Sequence, residues 1–126
     1  MGASFTPNFG EGAEIAARQA GDVAIVDVSG RLTIGPALIH LANVIQTTLD
    51  AGTQRILLNL AGVTYIDSSG IGELNATLKS VVGRGGALKL LQASKRVQDL
   101  LRMVGVHPLF SFEQREDEAL RHFSGT

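Results

Sequence analysis

An α/β fold, with a mixed, mainly parallel β-sheet of four to five strands and about four α-helices, is predicted by three features of this sequence. Short β-rich runs alternate with longer segments whose apolar residues recur at helical spacing, and glycine or proline punctuates most junctions. One run, Ile56-Leu57-Leu58, is apolar without interruption, as expected for a strand covered by helices. Finally, 126 residues suit one domain with a single adequate core. Alternation of this kind implies a mainly parallel sheet joined by right-handed crossovers.

The elements follow in order. Residues 1–12 are rich in glycine and small side chains without a sustained period, and read as a flexible N-terminal lead-in to a single domain over residues 13–126. Glu14 to Gln19 and Val23 to Val28 read as a hairpin turning at Ala20-Gly21-Asp22 and ending at Ser29-Gly30. Gly35-Pro36 opens a helix that carries Leu38, Leu41, Ile45 and Leu49 on one face and stops before Gly52. Arg55 to Leu60 is the expected central strand. Ile71, Leu74, Leu78 and Val81 then mark a second helix, starting just after Ser68-Ser69 and near Gly70. Gly83-Arg84-Gly85-Gly86 follows a helix and precedes a strand, the reverse of a phosphate loop, and reads as a C-cap and turn. Ala87 to Leu91 is the next strand. Ser94 caps a helix bearing Val97, Leu100, Leu101 and Val104, stopped by Gly105 with Pro108 beyond. Leu109 to Phe112 reads as a short last strand, and Glu116-Asp117-Glu118 begins a last helix ending at Arg121 and His122, the charge order its dipole prefers.

Composition narrows the function classes. Apolar residues at 44% and charged residues at 18% place the chain among folding globular proteins. A formal charge of -1 supplies no basic field for a nucleic acid backbone. The absence of cysteine removes disulfides, thiolate metal sites and thiol nucleophiles together. No basic start with a continuous apolar block marks a signal peptide, and no run approaches the ~20 apolar residues of a spanning helix, so a soluble cytoplasmic protein without direct membrane insertion is expected. His40, His107 and His122 lie far apart without ligand spacing, and no metal is assigned. Lys95 and Arg96 open a helix against its dipole, as solvated charges or as part of a partner surface.

One constellation carries chemistry. Asp67-Ser68-Ser69-Gly70 follows a strand and precedes a helix, in the kind of loop where open α/β sheets gather helix N-termini and place their sites. A phosphoryl group on a hydroxyl there gains about 0.3–1 kcal/mol from the helix dipole. It also adds about -1.5 to -2 charge beside the Asp67 carboxylate, which would repel a docked partner. Gly70 and Gly72 leave the helix entrance without side-chain cover. The plainer reading is that Asp67, Ser68 and Ser69 merely cap the helix. Glu73 completes a capping box only if Gly70 is the cap, and glycine has no side chain for that role.

Leu58-Asn59-Leu60, the stretch Val63-Thr64-Tyr65-Ile66-Asp67-Ser68-Ser69-Gly70-Ile71-Gly72, a Gly-Gly before a strand, and Leu100-Leu101-Arg102-Met103-Val104-Gly105-Val106 resemble the STAS domain of anti-sigma factor antagonists, over residues 22–123. The resemblance implies a STAS-like fold and a non-enzyme without cofactors. It implies that Ser68 is phosphorylated by a cognate anti-sigma factor that is also a serine kinase, with Ser69 the second choice or a helix cap, and that a phosphatase reverses the step. The unphosphorylated form would bind the anti-sigma factor and free the sigma factor. Asp67, Ser69, Gly70, Ile71, Gly72 and Thr33 would form the partner surface. Many members read Gly-x-Leu-Asp after the second strand, whereas this chain has Gly30-Arg31-Leu32-Thr33, so the choice of partner is not inherited.

Three rival readings stand beside this one. A non-switching STAS scaffold, in a stressosome-like assembly or a membrane transporter complex, would use the same fold for packing, and weak homo-oligomer formation is left open. A small-ligand or nucleotide sensor would use the loops near Thr33 and Ser68. An enzyme is the weakest, because no histidine or lysine near Ser68 in sequence activates it.

Overall fold

The computed structural model describes residues 12–124. The expected lead-in therefore lies outside the described residues except for Gly12. The element order is β1 (Ala13–Ala20), β2 (Val23–Leu32), α1 (Pro36–Asp50), β3 (Arg55–Ile66), α2 (Ser68–Gly83), β4 (Ala87–Leu91), α3 (Lys95–Met103), a 3-10 turn (His107–Leu109), β5 (Ser111–Glu113) and α4 (Glu116–Phe123). The strands form one sheet in sequential order, β1-β2-β3-β4-β5. The β1–β2 hairpin is antiparallel, and the other pairings are parallel.

Sequential strand order explains the layering. Crossovers of one hand that always step in the same direction deposit their helices on the same face of the sheet. Accordingly Leu41 and Ile45 of α1, Leu74 and Val81 of α2, and Leu101 of α3 share one buried cluster with Ile56, Leu58 and Leu60 of β3. On the opposite face Leu57 joins Val23, Ile25, Leu91 and the α4 residues Ala119 and Phe123. Both faces of β3 are thus covered, which is why Ile56-Leu57-Leu58 is uninterrupted. Each fully buried leucine or isoleucine in this core contributes about 1.5–3 kcal/mol through removal from water.

Several expected boundaries move. β2 and β3 run on to Leu32 and Ile66, past the expected ends, with register shifts between Asp27 and Ser29 and between Gly30 and Arg31. These irregularities break the apolar alternation that marks a strand in sequence. α2 begins at Ser68, not after the serines. The last strand is Ser111–Glu113 in place of Leu109 to Phe112, because Pro108 stands in a 3-10 turn where the Phe110 amide donates to the His107 carbonyl at 3.2 Å. Pro36 at the start of α1 and Ser94 capping α3, with Oγ accepting from the Val97 amide at 3.2 Å, fall where the sequence predicts them.

Candidate functional site

The extension of β2 and β3 brings the β2–α1 loop alongside the β3–α2 junction, and Asp67 ties the two together. In extended conformation, Asp67 is the N-cap of α2; its Oδ1 accepts from the Gly70 amide at 2.9 Å, satisfying one of the helix's unpaired donors. Oδ2 accepts from the Ile34 amide at 3.1 Å, in the loop that follows β2. The Asp67 amide in turn donates to the Leu32 carbonyl at 3.3 Å. These donors hold the Asp67 carboxyl below the usual carboxylate range, the Gly70 amide first and the Ile34 amide second.

The cap is thereby complete without either serine. Ser68 and Ser69 are the first two residues of α2, and neither hydroxyl has a hydrogen-bond partner among the described residues. Ser69 is not a helix cap. Ser68 is exposed and Ser69 half-buried, so Ser68 presents the more accessible hydroxyl. Glu73 takes no part in capping; it is half-buried, and burial pushes its carboxyl up.

The two glycines have separate roles. Gly70 is buried, and a Cβ there would strike the Leu32 carbonyl oxygen and Ile66 Cγ1, so its missing side chain lets α2 start hard against the ends of β2 and β3. The expectation that Gly70 leaves the helix entrance open to a partner is corrected by this contact. Gly72 is exposed with nothing near its Cβ position. Ile71, expected on the exposed partner surface, is also buried and lines a cavity beside Ser68. That cavity, of about 280 Å³, is lined by Ser68, Ile71, Gly72, Asn75, Val104 and Val106. Asn75 Oδ1 is buried there with no hydrogen-bond partner among the described residues.

Large apolar side chains stand exposed on the same elements. Ile34 is 77% exposed, Val104 56% and Met103 78%. Thr33 is half-buried beside Ile34, so the loop carrying the Gly30-Arg31-Leu32-Thr33 departure is joined to the site through Asp67. Beside them Tyr65 receives two guanidinium groups, that of Arg31 at 4.7 Å and that of Arg96 at 5.5 Å from the ring centroid. Sequence reasoning passed over Ile34, Tyr65, Asn75 and the Arg31–Tyr65 pair. Their only early signal is the charge of Arg96 at a helix start, where Lys95 instead pairs with Asp99 at 2.6 Å.

The remaining candidates behave structurally. His122 Nδ1 meets the buried Glu113 carboxylate at 2.8 Å, and the His107 ring stacks on Phe112 at 4.5 Å. No group of histidines and acids able to hold a metal ion occurs among the described residues. Arg84 caps α2 and Gly85 adopts φ 79°, the turn expected of the glycine-rich stretch. No described helix is long and apolar enough to cross a membrane.

Comparison with known proteins agrees with this architecture. The family model of the STAS domain matches residues 14–119. A Thermotoga neapolitana protein provisionally named an anti-sigma factor antagonist is 31% identical over 104 residues, which cover 82% of this chain and 92% of that protein. An anti-sigma-B factor antagonist of Staphylococcus epidermidis is 32% identical over 84 residues, 67% of this chain and 77% of its own. The solved structure of the anti-sigma factor antagonist SpoIIAA in its unphosphorylated form matches with a TM-score of 0.76 at 21% identity, covering 90% of this chain and 98% of that one, a likeness of fold. With a five-stranded mixed sheet and four α-helices among the described residues, and an Asp-Ser-Ser-Gly junction at the end of β3, this chain belongs to the STAS domain family.

Proposed function

We infer that this chain is a cytoplasmic anti-sigma factor antagonist: unphosphorylated, it binds an anti-sigma factor that is also a serine kinase, and phosphorylation of Ser68 releases it. The observation that carries this reading is the division of labour at the start of α2. Asp67 alone supplies the cap, which leaves an exposed Ser68 hydroxyl with no structural task. Capping was the plainer account of these serines, and it is satisfied without them. The names of the relatives support the partner class.

The chemistry asks little of this chain. A kinase brings ATP, magnesium and the catalytic base, and the substrate need only present a positioned hydroxyl. Ser68 does so on the first turn of a long helix, where backbone N–H groups favour an added phosphoryl group. The new charge lies next to a carboxylate already held ionised by the Gly70 and Ile34 amides, so the local field turns strongly negative. A partner seated over Ile34, Ser68 and Val104 would then face repulsion at the centre of its contact, and a phosphatase would restore binding. Thr33 would touch the same partner, because its loop is fixed to Asp67.

Binding of the purified protein to each anti-sigma candidate encoded in its own genome, followed by calorimetry, tests the reading. Ser68→Ala should bind like the wild type, and Ser68→Glu at least tenfold more weakly, a difference of about 1.4 kcal/mol. Equal affinity of the two variants would favour a scaffold that does not switch.

A further inference from the structure

We propose that Arg31, Tyr65 and Arg96 form a docking patch for an acidic segment of the protein partner that seats beside Ser68, an inference that rests on the partner-binding reading and specifies the charge of that partner. Every other arginine among the described residues stands within 4.0 Å of a carboxylate: Arg18, Arg55, Arg84, Arg102, Arg115 and Arg121. Arg31 and Arg96 alone have none, and they converge on one aromatic ring from different elements. Arg31 is the register partner of Tyr65 across β2 and β3, whereas Arg96 comes from the first turn of α3.

The arrangement has the geometry of a receptor for carboxylates. A guanidinium stacked over a ring has one face desolvated and its orientation fixed, while its N–H edge stays free for a bidentate contact. Two such edges held by one ring are preorganised, so less side-chain freedom is lost on binding. Arg96 also stands at a helix N-terminus, where its charge adds to that of the dipole, and an anion relieves both. Both arginines are exposed and the ring is 38% exposed, so the patch is open surface suited to a macromolecule. With a net charge of -1 the protein lacks the extended basic field that a nucleic acid needs. Tyr65 and Ser68 are three residues apart, which limits their Cα separation to about 11 Å, so a partner covering Ser68 reaches the patch.

Two measurements test the patch. In the first, a hexaglutamate peptide is titrated into the labelled full chain by NMR, with hexalysine and a short single-stranded oligonucleotide as comparators. Hexaglutamate should move the Arg31 and Arg96 Nε–H signals and the Tyr65 ring signals, less so at high salt, and the Arg31→Gln/Arg96→Gln double variant should lose the effect with its Tm unchanged. Shifts centred elsewhere, shifts persisting in the double variant, or preferential capture of the oligonucleotide would overturn the proposal. In the second, any anti-sigma protein that binds the wild type is tested against the double variant. The association rate should fall about tenfold and lose most of its salt dependence. Equal rates would overturn the docking role. If no anti-sigma candidate binds the wild type, the proposed function fails, and the hexaglutamate titration alone decides whether the patch receives acidic segments.

Discussion

The Asp67 carboxylate accepts the Ile34 amide at 3.1 Å while its other oxygen accepts the Gly70 amide at 2.9 Å. One side chain therefore sets both the start of α2 and the position of the loop after β2. A shift in either element reaches the other through this carboxylate, and the exposed Ser68 follows it directly as the first residue of α2.

Ionisation of Asp67 should be visible at once in the loop after β2 and in the first turn of α2. Its backbone donors favour the charged form, so its folded-state pKa lies below the ordinary value of about 3.9. The stabilisation is complete above the unfolded-state pKa and disappears as pH falls through the folded-state one. Asp67→Asn should lower Tm at pH 7, and the gap from wild type should narrow as pH drops below about 4. NMR titration should show the Ile34 and Gly70 amides moving together. A Tm gap that stays constant between about pH 7 and 3 would contradict the assignment.

Gly70 and Gly72 should respond oppositely to alanine. At Gly70 the new methyl meets the Leu32 carbonyl and Ile66, which costs about 1–3 kcal/mol by overpacking against backbone. At Gly72 nothing lies within 4 Å, and a helix interior gains about 0.5–1 kcal/mol from alanine. Urea unfolding of the two variants measures both; a stable Gly70→Ala protein would refute the close junction of β2, β3 and α2.

The layout of the fold was legible because its signals are local. Pro36, Ser94 and the helical spacing of Leu38, Leu41, Ile45 and Leu49 mark helices without reference to the rest of the chain. Ile56-Leu57-Leu58 announces a strand buried on both sides. The site was legible only as a motif. Nothing local says that Asp67, not Gly70 or Ser69, is the cap, nor that its second oxygen reaches Ile34, 33 residues away. The ends of β2 and β3 were hidden by bulges, and with them the pairing of Arg31 with Tyr65. Gly70 looked like an opening because sequence shows an absent side chain but not the carbonyl that fills its place.

The buried Glu113 carboxylate should prove important for the docking of α4. It meets His122 at 2.8 Å and Lys89 at 3.5 Å, and Lys89 is only 17% exposed. Glu113→Ala strands that lysine, with an expected loss of about 2–3 kcal/mol, below the range for a fully buried pair because His122 and part of Lys89 reach water. A loss under about 1 kcal/mol in urea unfolding would show that the pair holds little.

Thr33 should act on recognition more than on folding. It is half-buried in a loop anchored by its neighbour Ile34, so Thr33→Asp should leave Tm nearly unchanged while altering partner affinity about fivefold or more, through charge placed at a proposed interface. Surface plasmon resonance against a binding anti-sigma factor reads this directly. Unchanged affinity would remove Thr33 from the contact.

The most direct test is to incubate the protein with ATP, magnesium and its cognate anti-sigma candidate and to locate any phosphate by mass spectrometry, with Ser68→Ala alongside. The account predicts a single phosphate on Ser68, none on the Ser68→Ala protein, and dissociation of the pair as phosphate accumulates. A stable complex that never acquires phosphate, or phosphate on Ser69 with Ser68 untouched, would contradict it.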